Sequence, residues 1–314
     1  MKKKPFEIKV NLTKMMFETI DKVLEFPQNP KRLEKQFGDV ECISDVNYSE
    51  RFSDMALDLY YLPQEGKKYP VIFEIHGGGF SAGDKKYRRC LCRYYAKNTG
   101  AIVVNVNYGV GADAACPLPM QQLAEAVNWT VANAEKYNMD LSKFVVTGDS
   151  AGAFYACFLC VLQGSEFLQS LFQCKLNAKI TAAVLNCGVY DMQSAMHRTK
   201  LLVNGVCKEL MGMEVEEAVR SPYFEGVTLT KHVNSTFPET LLIYSLNDVF
   251  CKGQGEALLE KLQQNNVRTE CVCAKSILDN HTYSLIWVTS MAKKTNLRIL
   301  SFLNRHFGNE SKSK

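Results

Sequence analysis

Short apolar runs recur along the chain, each closed by turn residues: VIFEI at 71–75, AIVVNVNY at 101–108, FVVTG at 144–148, ITAAVLNC at 180–187, TLLIYSL at 240–246 and TECVCA at 269–274. Between most of them apolar residues return at helical spacing. Leu123, Val127 and Val131 do so within 120–137, and Ala257, Leu258 and Leu262 within 255–264. Nearly continuous apolar strands alternating with helices predict an α/β fold with a mostly parallel central sheet covered on both faces. The earlier segment MALDLYYL at 55–62 alternates apolar and polar positions instead, as an antiparallel strand does.

Two segments fall outside this alternation. Residues 11–26 carry Leu12, Met15, Met16, Ile20, Val23 and Leu24 at helical spacing before Pro27 and Pro30, which predicts an amphipathic helix ahead of the sheet. Residues 189–236, rich in Met, Tyr and charge, interrupt two core strands and are a candidate lid.

Composition narrows the class. The formal charge of +4 arises from 37 basic and 33 acidic residues spread through 314 positions, so no basic block marks a nucleic-acid partner. The basic start MKKKPFEIK has no apolar stretch behind it, and no later run approaches a membrane span; a soluble, cytoplasmic protein is expected. The 12 cysteines are scattered, several within apolar runs, and are expected as buried thiols. Cys157 and Cys160 form a C-x-x-C on a predicted helix without a second pair at zinc spacing, so no metal or other cofactor is expected.

Gly148-Asp149-Ser150-Ala151-Gly152 stands between the strand FVVTG and a helical apolar run, the strand-turn-helix setting of a nucleophile elbow. Such a turn forces the residues two before and two after the serine together, where only glycine fits. Ser150 could otherwise be a plain helix cap. A serine nucleophile needs a base, and the base needs an acid to orient it. Of five histidines, His76 belongs to an upstream motif, His197 and His232 fall in or beside the insertion, and His306 sits in the last helix; His281, in LDNHTYSL after the last strand, is the candidate base. Asp248, just beyond TLLIYSL, is the candidate acid, with Asp279 as rival. His76-Gly77-Gly78-Gly79 is the HGGG-type donor loop, so the amides of Gly77, Gly78, Gly79 and Ala151 are candidate oxyanion donors, each key donor contributing roughly 3–4 kcal/mol. His76 is expected to brace this loop.

HGGGF, GDSAG and a late Asp and His in this order make the chain resemble the hormone-sensitive-lipase-like carboxylesterases of the α/β-hydrolase fold over about residues 55–307. The resemblance implies the triad Ser150, Asp248 and His281. It also implies a cap built from residues 1–45 and 189–236 around a core of 46–188 and 237–314. NYGVGADAACPLP replaces the family's usual Tyr-Arg-Leu-Ala-Pro-Glu, and Asp248-Val249-Phe250 its Asp-Pro-Leu. The expected function is hydrolysis of short- to medium-chain esters, acetyl or aryl esters included, with a small-molecule ester as partner and a homodimer left open. Phe80, Asp149, Tyr190 and Tyr223 are the candidate pocket residues, with Phe154 and Phe224 as further aromatic supply. The alternatives are a serine peptidase or amidase, and a non-catalytic small-molecule receptor on the same scaffold.

Overall fold

A computed structural model describes residues 12–25, 35–196 and 200–309. His197 and the outer parts of the N-terminal segment, to which Pro27 and Pro30 belong, lie outside the described residues.

Eight strands form one sheet: β1 (Glu41–Asn47), β2 (Ala56–Tyr61), β3 (Tyr69–Ile75), β4 (Ile102–Val106), β5 (Met139–Asp149), β6 (Ala182–Asn186), β7 (Glu239–Ser245) and β8 (Thr269–Ala274). Their spatial order is β1-β2-β4-β3-β5-β6-β7-β8. Pairing is antiparallel from β1 to β2 and from β2 to β4, and parallel everywhere else.

Because side chains alternate across a strand, each central strand supplies both cores. On one face Val71, Phe73 and Ile75 of β3 and Leu242 of β7 pack with α3 (Leu118–Ala132), α4 (Ala151–Leu162) and α10 (Gln254–Gln264). On the other, Ile72, Val145, Val184, Leu241 and Ile243 pack with α2 (Arg89–Thr99) and α11 (Ser290–Phe307). Every residue of α4 is buried, which its all-round apolar sequence requires. Between β6 and β7 run α6 (Met192–Ala195), α7 (Lys200–Met211), α8 (Val215–Ala218) and α9 (Pro222–Val227); the short α5 (Glu166–Phe172) precedes β6. Ahead of the sheet lies α1 (Leu12–Glu25), the expected amphipathic helix.

One boundary differs from expectation. Residues 41–47 are the edge strand of the sheet, so a cap segment ending at 45 would cut through β1. ECISDVN lacks alternation because a bulge between Ile43 and Val46 turns these two residues, three apart, onto the core; at the edge of the sheet none of its residues is fully buried.

The parallel strands all deliver their carboxyl ends to one edge. Ile75 leads into the glycine loop, Asp149 into Ser150, Asn186 into Cys187 and Ser245 towards Asp248. The loop after β8 carries His281.

Candidate active site

Ser150 follows β5 directly and opens α4 with φ 53° and ψ −118°, a conformation that costs a non-glycine residue about 1–3 kcal/mol. The strain is held by neighbours: the Ser150 amide donates to the Asn186 carbonyl at 2.8 Å, and its own carbonyl accepts from Phe154. The flanking glycines are sterically obligatory. A Cβ on Gly148 would lie 2.5 Å from the Gly152 carbonyl carbon, and one on Gly152 would lie 2.0 Å from the Ile75 carbonyl oxygen. The elbow is thus wedged against the end of β3 as well as against itself.

Three sequence-selected side chains meet in space. His281 Nε2 lies 2.9 Å from Ser150 Oγ, and His281 Nδ1 lies 2.9 Å from each carboxylate oxygen of Asp248. Asp248 Oδ1 also accepts the backbone amides of Phe250, at 2.9 Å, and Cys251, at 2.7 Å. Burial would push the Asp248 carboxyl up, but His281 and those two amides together hold it below the usual carboxylate range. An ionised acid on Nδ1 keeps the proton there, leaving Nε2 to accept from the serine hydroxyl. Asp279 takes another part: its backbone carbonyl accepts from Ser245 Oγ. Cys187, Asp248 and His281 also present metal-type donor atoms within 4.8 Å of one another. The histidine and carboxylate already satisfy each other, and burial keeps the Cys187 thiol well above its ordinary range, as a protonated thiol.

The glycine loop runs beside Ser150. Gly78 borders the space next to the serine, and its φ of 132° and the φ of 60° at Gly79 are values that favour glycine. The Gly78 carbonyl accepts from the amides of Ser81 and Ala82, which closes the loop into a tight turn. Among the described residues no acceptor takes the amides of Gly78, Gly79 or Ala151. Gly77 is instead pressed against Asp149, whose carboxylate would stand 2.4 Å from a Cβ there. His76 braces this turn: it is buried, stacks on Tyr108 at 4.4 Å, and its Nδ1 lies 2.8 Å from the Gly77 carbonyl oxygen. Burial lowers its pKa to about 4, so it is neutral at pH 7 and has no proton to spare on Nε2. Tyr108 Oη donates to the His76 carbonyl at 2.7 Å. The segment that follows is tied down through the Gly109 amide to Gln122 and the Cys116 amide to the Leu210 carbonyl of α7.

The candidate pocket residues do not line the space beside Ser150, with one partial exception. Phe80 is buried in the core against Phe154 and Tyr155. Tyr190 is buried, its hydroxyl accepting from the Gly188 amide. Tyr223 packs on Phe172 of α5, and Phe224 on the same core. Asp149 does border the space. Its carboxylate, however, is committed to a forked pair with Arg88, Nε to Oδ1 at 2.6 Å and Nη2 to Oδ2 at 2.7 Å.

Arg88 is the residue that sequence reasoning missed. Only 1% exposed, it also faces Asp21 of α1 at 3.4 Å. In KKYRRC it reads as a solvated charge; the one available signal was Asp149, an acid forced inside by the elbow and therefore in need of a cation. Phe17 of α1 was missed too. Its ring rests on Gly79 and on Phe250, and Phe250 packs edge-on against His281 at 4.9 Å.

A model of the BD-FAE family matches residues 57–262. Over 98 residues the chain is 37% identical to the versiconal hemiacetal acetate esterase of Dothistroma septosporum, an alignment covering 31% of this chain and 30% of that protein. Over 292 residues it is 23% identical to the Mycobacterium tuberculosis protein named "Probable carboxylic ester hydrolase LipM", covering 90% of this chain and 66% of that one. The chain therefore spans less than two thirds of either relative. Among solved structures, esterase B from Lactobacillus Rhamnosis superposes with a TM-score of 0.74 at 22% identity, covering 96% of this chain and 98% of that one. The Pyrobaculum calidifontis esterase does so with a TM-score of 0.74 at 20% identity, covering 96% and 94%. The family match runs from β2 to α10 and takes in the glycine loop, the Ser150 elbow and Asp248; the chain belongs to the BD-FAE family and has the α/β-hydrolase fold.

Proposed function

We propose that the protein is a serine carboxylester hydrolase working through an acyl-enzyme, with Ser150 as nucleophile, His281 as general base and then acid, and Asp248 as the orienting acid. One observation carries this: the unbroken line of hydrogen bonds from Asp248 through His281 to a serine held in a strained elbow. Ser150 Oγ attacks the ester carbonyl while its proton passes to His281 Nε2, and Asp248 stabilises the imidazolium. Charge on the carbonyl oxygen falls to the amides of Gly78, Gly79 and Ala151, with Gly77 behind them. Collapse returns the proton to the leaving alcohol. Water, deprotonated by His281, then attacks the acyl-serine, and the acid departs with Ser150 restored.

The relatives' names, an acetate esterase among them, favour small esters of short to medium chain. Helix α1 and residues 189–236 form the cap in this proposal. A cytoplasmic setting suits the cysteines, which form no disulfide among the described residues; no helix among those residues is long and apolar enough to cross a membrane. The test is a series of p-nitrophenyl esters of increasing chain length on the wild type and Ser150→Ala. Wild-type turnover that disappears in the variant is expected. Equal turnover by the two would sink the proposal, as a receptor or an unrelated surface activity would require.

A further inference from the structure

The space beside Ser150 is narrow. Phe17, Ile20, Asp21 and Leu24 of α1, with Gly78, Asp149, Ser150, His281 and Thr282, border a cavity of about 10 Å³, which is room for one water molecule, and Ser150 and His281 keep part of their surface in solvent. An ester brings a carbonyl and two substituents to Ser150, more than this cavity holds, so the α1 side of the wall has to yield for them to settle over the glycine turn.

The wall is not uniform. Gly78, Ser150 and His281 are fixed by the sheet edge and by the hydrogen bonds already described, whereas α1 lies outside the sheet and meets the site through its side chains, Leu24 and Ile20 packing on the core formed with α2 and α11. Phe17 and Leu24 are its buried apolar residues among those described, while Met15, Met16 and Val23 face outward. Among its polar anchors are Asp21 to Arg88 at 3.4 Å and Glu25 to Arg89 at 2.8 Å, the latter pair partly exposed. Asp21 is buried at a cost that Arg88, already forked onto Asp149, does not offset, and its carboxyl is pushed up to about 6 by that burial. Phe17 itself sits where the reaction needs space. A Cβ on Gly79 would come within 2.1 Å of Phe17 Cε2, so the ring lies directly on the donor loop, and it touches Phe250, the residue packed on His281.

We propose that Phe17 is a specificity-determining residue: its ring fills the space over the Gly78–Gly79 turn that the ester must occupy, and the size of ester admitted is set by how far α1 gives way. This rests on the hydrolase proposal above. A small acyl group needs the ring to swing aside; a long one needs the helix to lift from Arg88. Truncating Phe17 therefore favours long esters over short ones, rather than raising or lowering all rates together.

The experiment measures the rate at which Ser150 is modified by two fluorophosphonates, one with an ethyl and one with a decyl chain, in the wild type, Phe17→Ala and Phe17→Leu. Both variants are first checked for an unchanged denaturation midpoint, and Phe17→Leu remains informative where Phe17→Ala folds poorly. The decyl-to-ethyl rate ratio is expected to rise about tenfold or more in Phe17→Ala, with Phe17→Leu between. In the wild type, decyl modification is expected to strip hydrogen-exchange protection from the amides of α1. A ratio unchanged in both folded variants, or α1 amides equally protected before and after decyl modification, overturns the role of Phe17 while leaving the hydrolase intact. Failure of both probes to modify Ser150 in the wild type overturns the hydrolase proposal and this one with it.

Discussion

Replacing Arg88 by Met isolates the buried charge cluster behind the nucleophile. Arg88 is 1% exposed and Asp149 4%, and their two bonds of 2.6 and 2.7 Å form a fork. A pair like this stabilises little compared with a well-packed apolar pair, because both charges were taken out of water. Removing one partner is different, since the remaining carboxylate stays buried without compensation, at a cost of about 3–5 kcal/mol. Its neighbours cannot help. Glu74 is buried beside it with one oxygen lacking a hydrogen-bond partner, and Asp21 is itself an acid. Arg88→Met should therefore lower the unfolding free energy by about 3–5 kcal/mol, read from urea denaturation at neutral pH with the slope compared to exclude a change in the unfolded state. Removing the stranded acid as well, in Arg88→Met/Asp149→Asn, should recover a substantial part, giving a coupling energy of at least about 2 kcal/mol. Since Asp149 adjoins Ser150, the single variant should also lose ester turnover. A cost under about 1 kcal/mol, or a double variant no better than the sum of the singles, would refute the reasoning.

Asp248→Asn should keep the fold but reduce kcat on the order of 10⁴-fold by favouring the wrong histidine tautomer, whereas Asp279→Asn, whose role is through its backbone carbonyl, should leave kcat near wild type; steady-state kinetics separates them. Gly152→Ala would drive a Cβ to 2.0 Å from the Ile75 carbonyl and should cost more than about 4 kcal/mol or prevent folding, seen as loss of soluble, protease-resistant protein. Burial raises Glu74 to about 8, above its unfolded value, so its contribution to stability is present at low pH and is lost as pH climbs towards 8. His76, lowered to about 4, acts the other way and only below its ordinary range. Between pH 6.5 and 8, then, stability should fall by up to about 1.4 kcal/mol per pH unit from Glu74, and Glu74→Gln should remove that slope in denaturation midpoints.

Much of the framework was visible in the residue pattern, for a physical reason. Strands buried on both faces have no choice but to be apolar throughout, so β3, β5, β6 and β7 announced themselves, and the steric demands of the elbow placed glycine at 148 and 152. β1 escaped because a bulge sets its two core-facing residues, Ile43 and Val46, three apart, which breaks the period of two. Topology narrowed the base and the acid to loops after a strand's carboxyl end, but His76 and Asp279 stand in such loops too; the hydrogen bonds of His281 to Ser150 and Asp248, and of Ser245 to the Asp279 carbonyl, separate them. The pocket was less legible. An aromatic is equally suited to lining a cleft or filling a core, and Phe80, Tyr190 and Tyr223 filled the core. Arg88 and Phe17 were hidden for the opposite reason: each looks ordinary in its own segment, and its meaning comes from a partner far along the chain, Asp149 for one and Gly79 for the other. The amphipathic character of α1 was plain, but not that its inner face borders the space beside Ser150 as well as the core.

The central claim is that Ser150 is the activated nucleophile, and mass spectrometry of the intact chain after treatment with a small fluorophosphonate tests it most directly. One adduct per chain is expected, mapped to the peptide containing Ser150, absent in Ser150→Ala and strongly slowed in His281→Ala. An unmodified wild type, or an adduct that persists in Ser150→Ala, would contradict it.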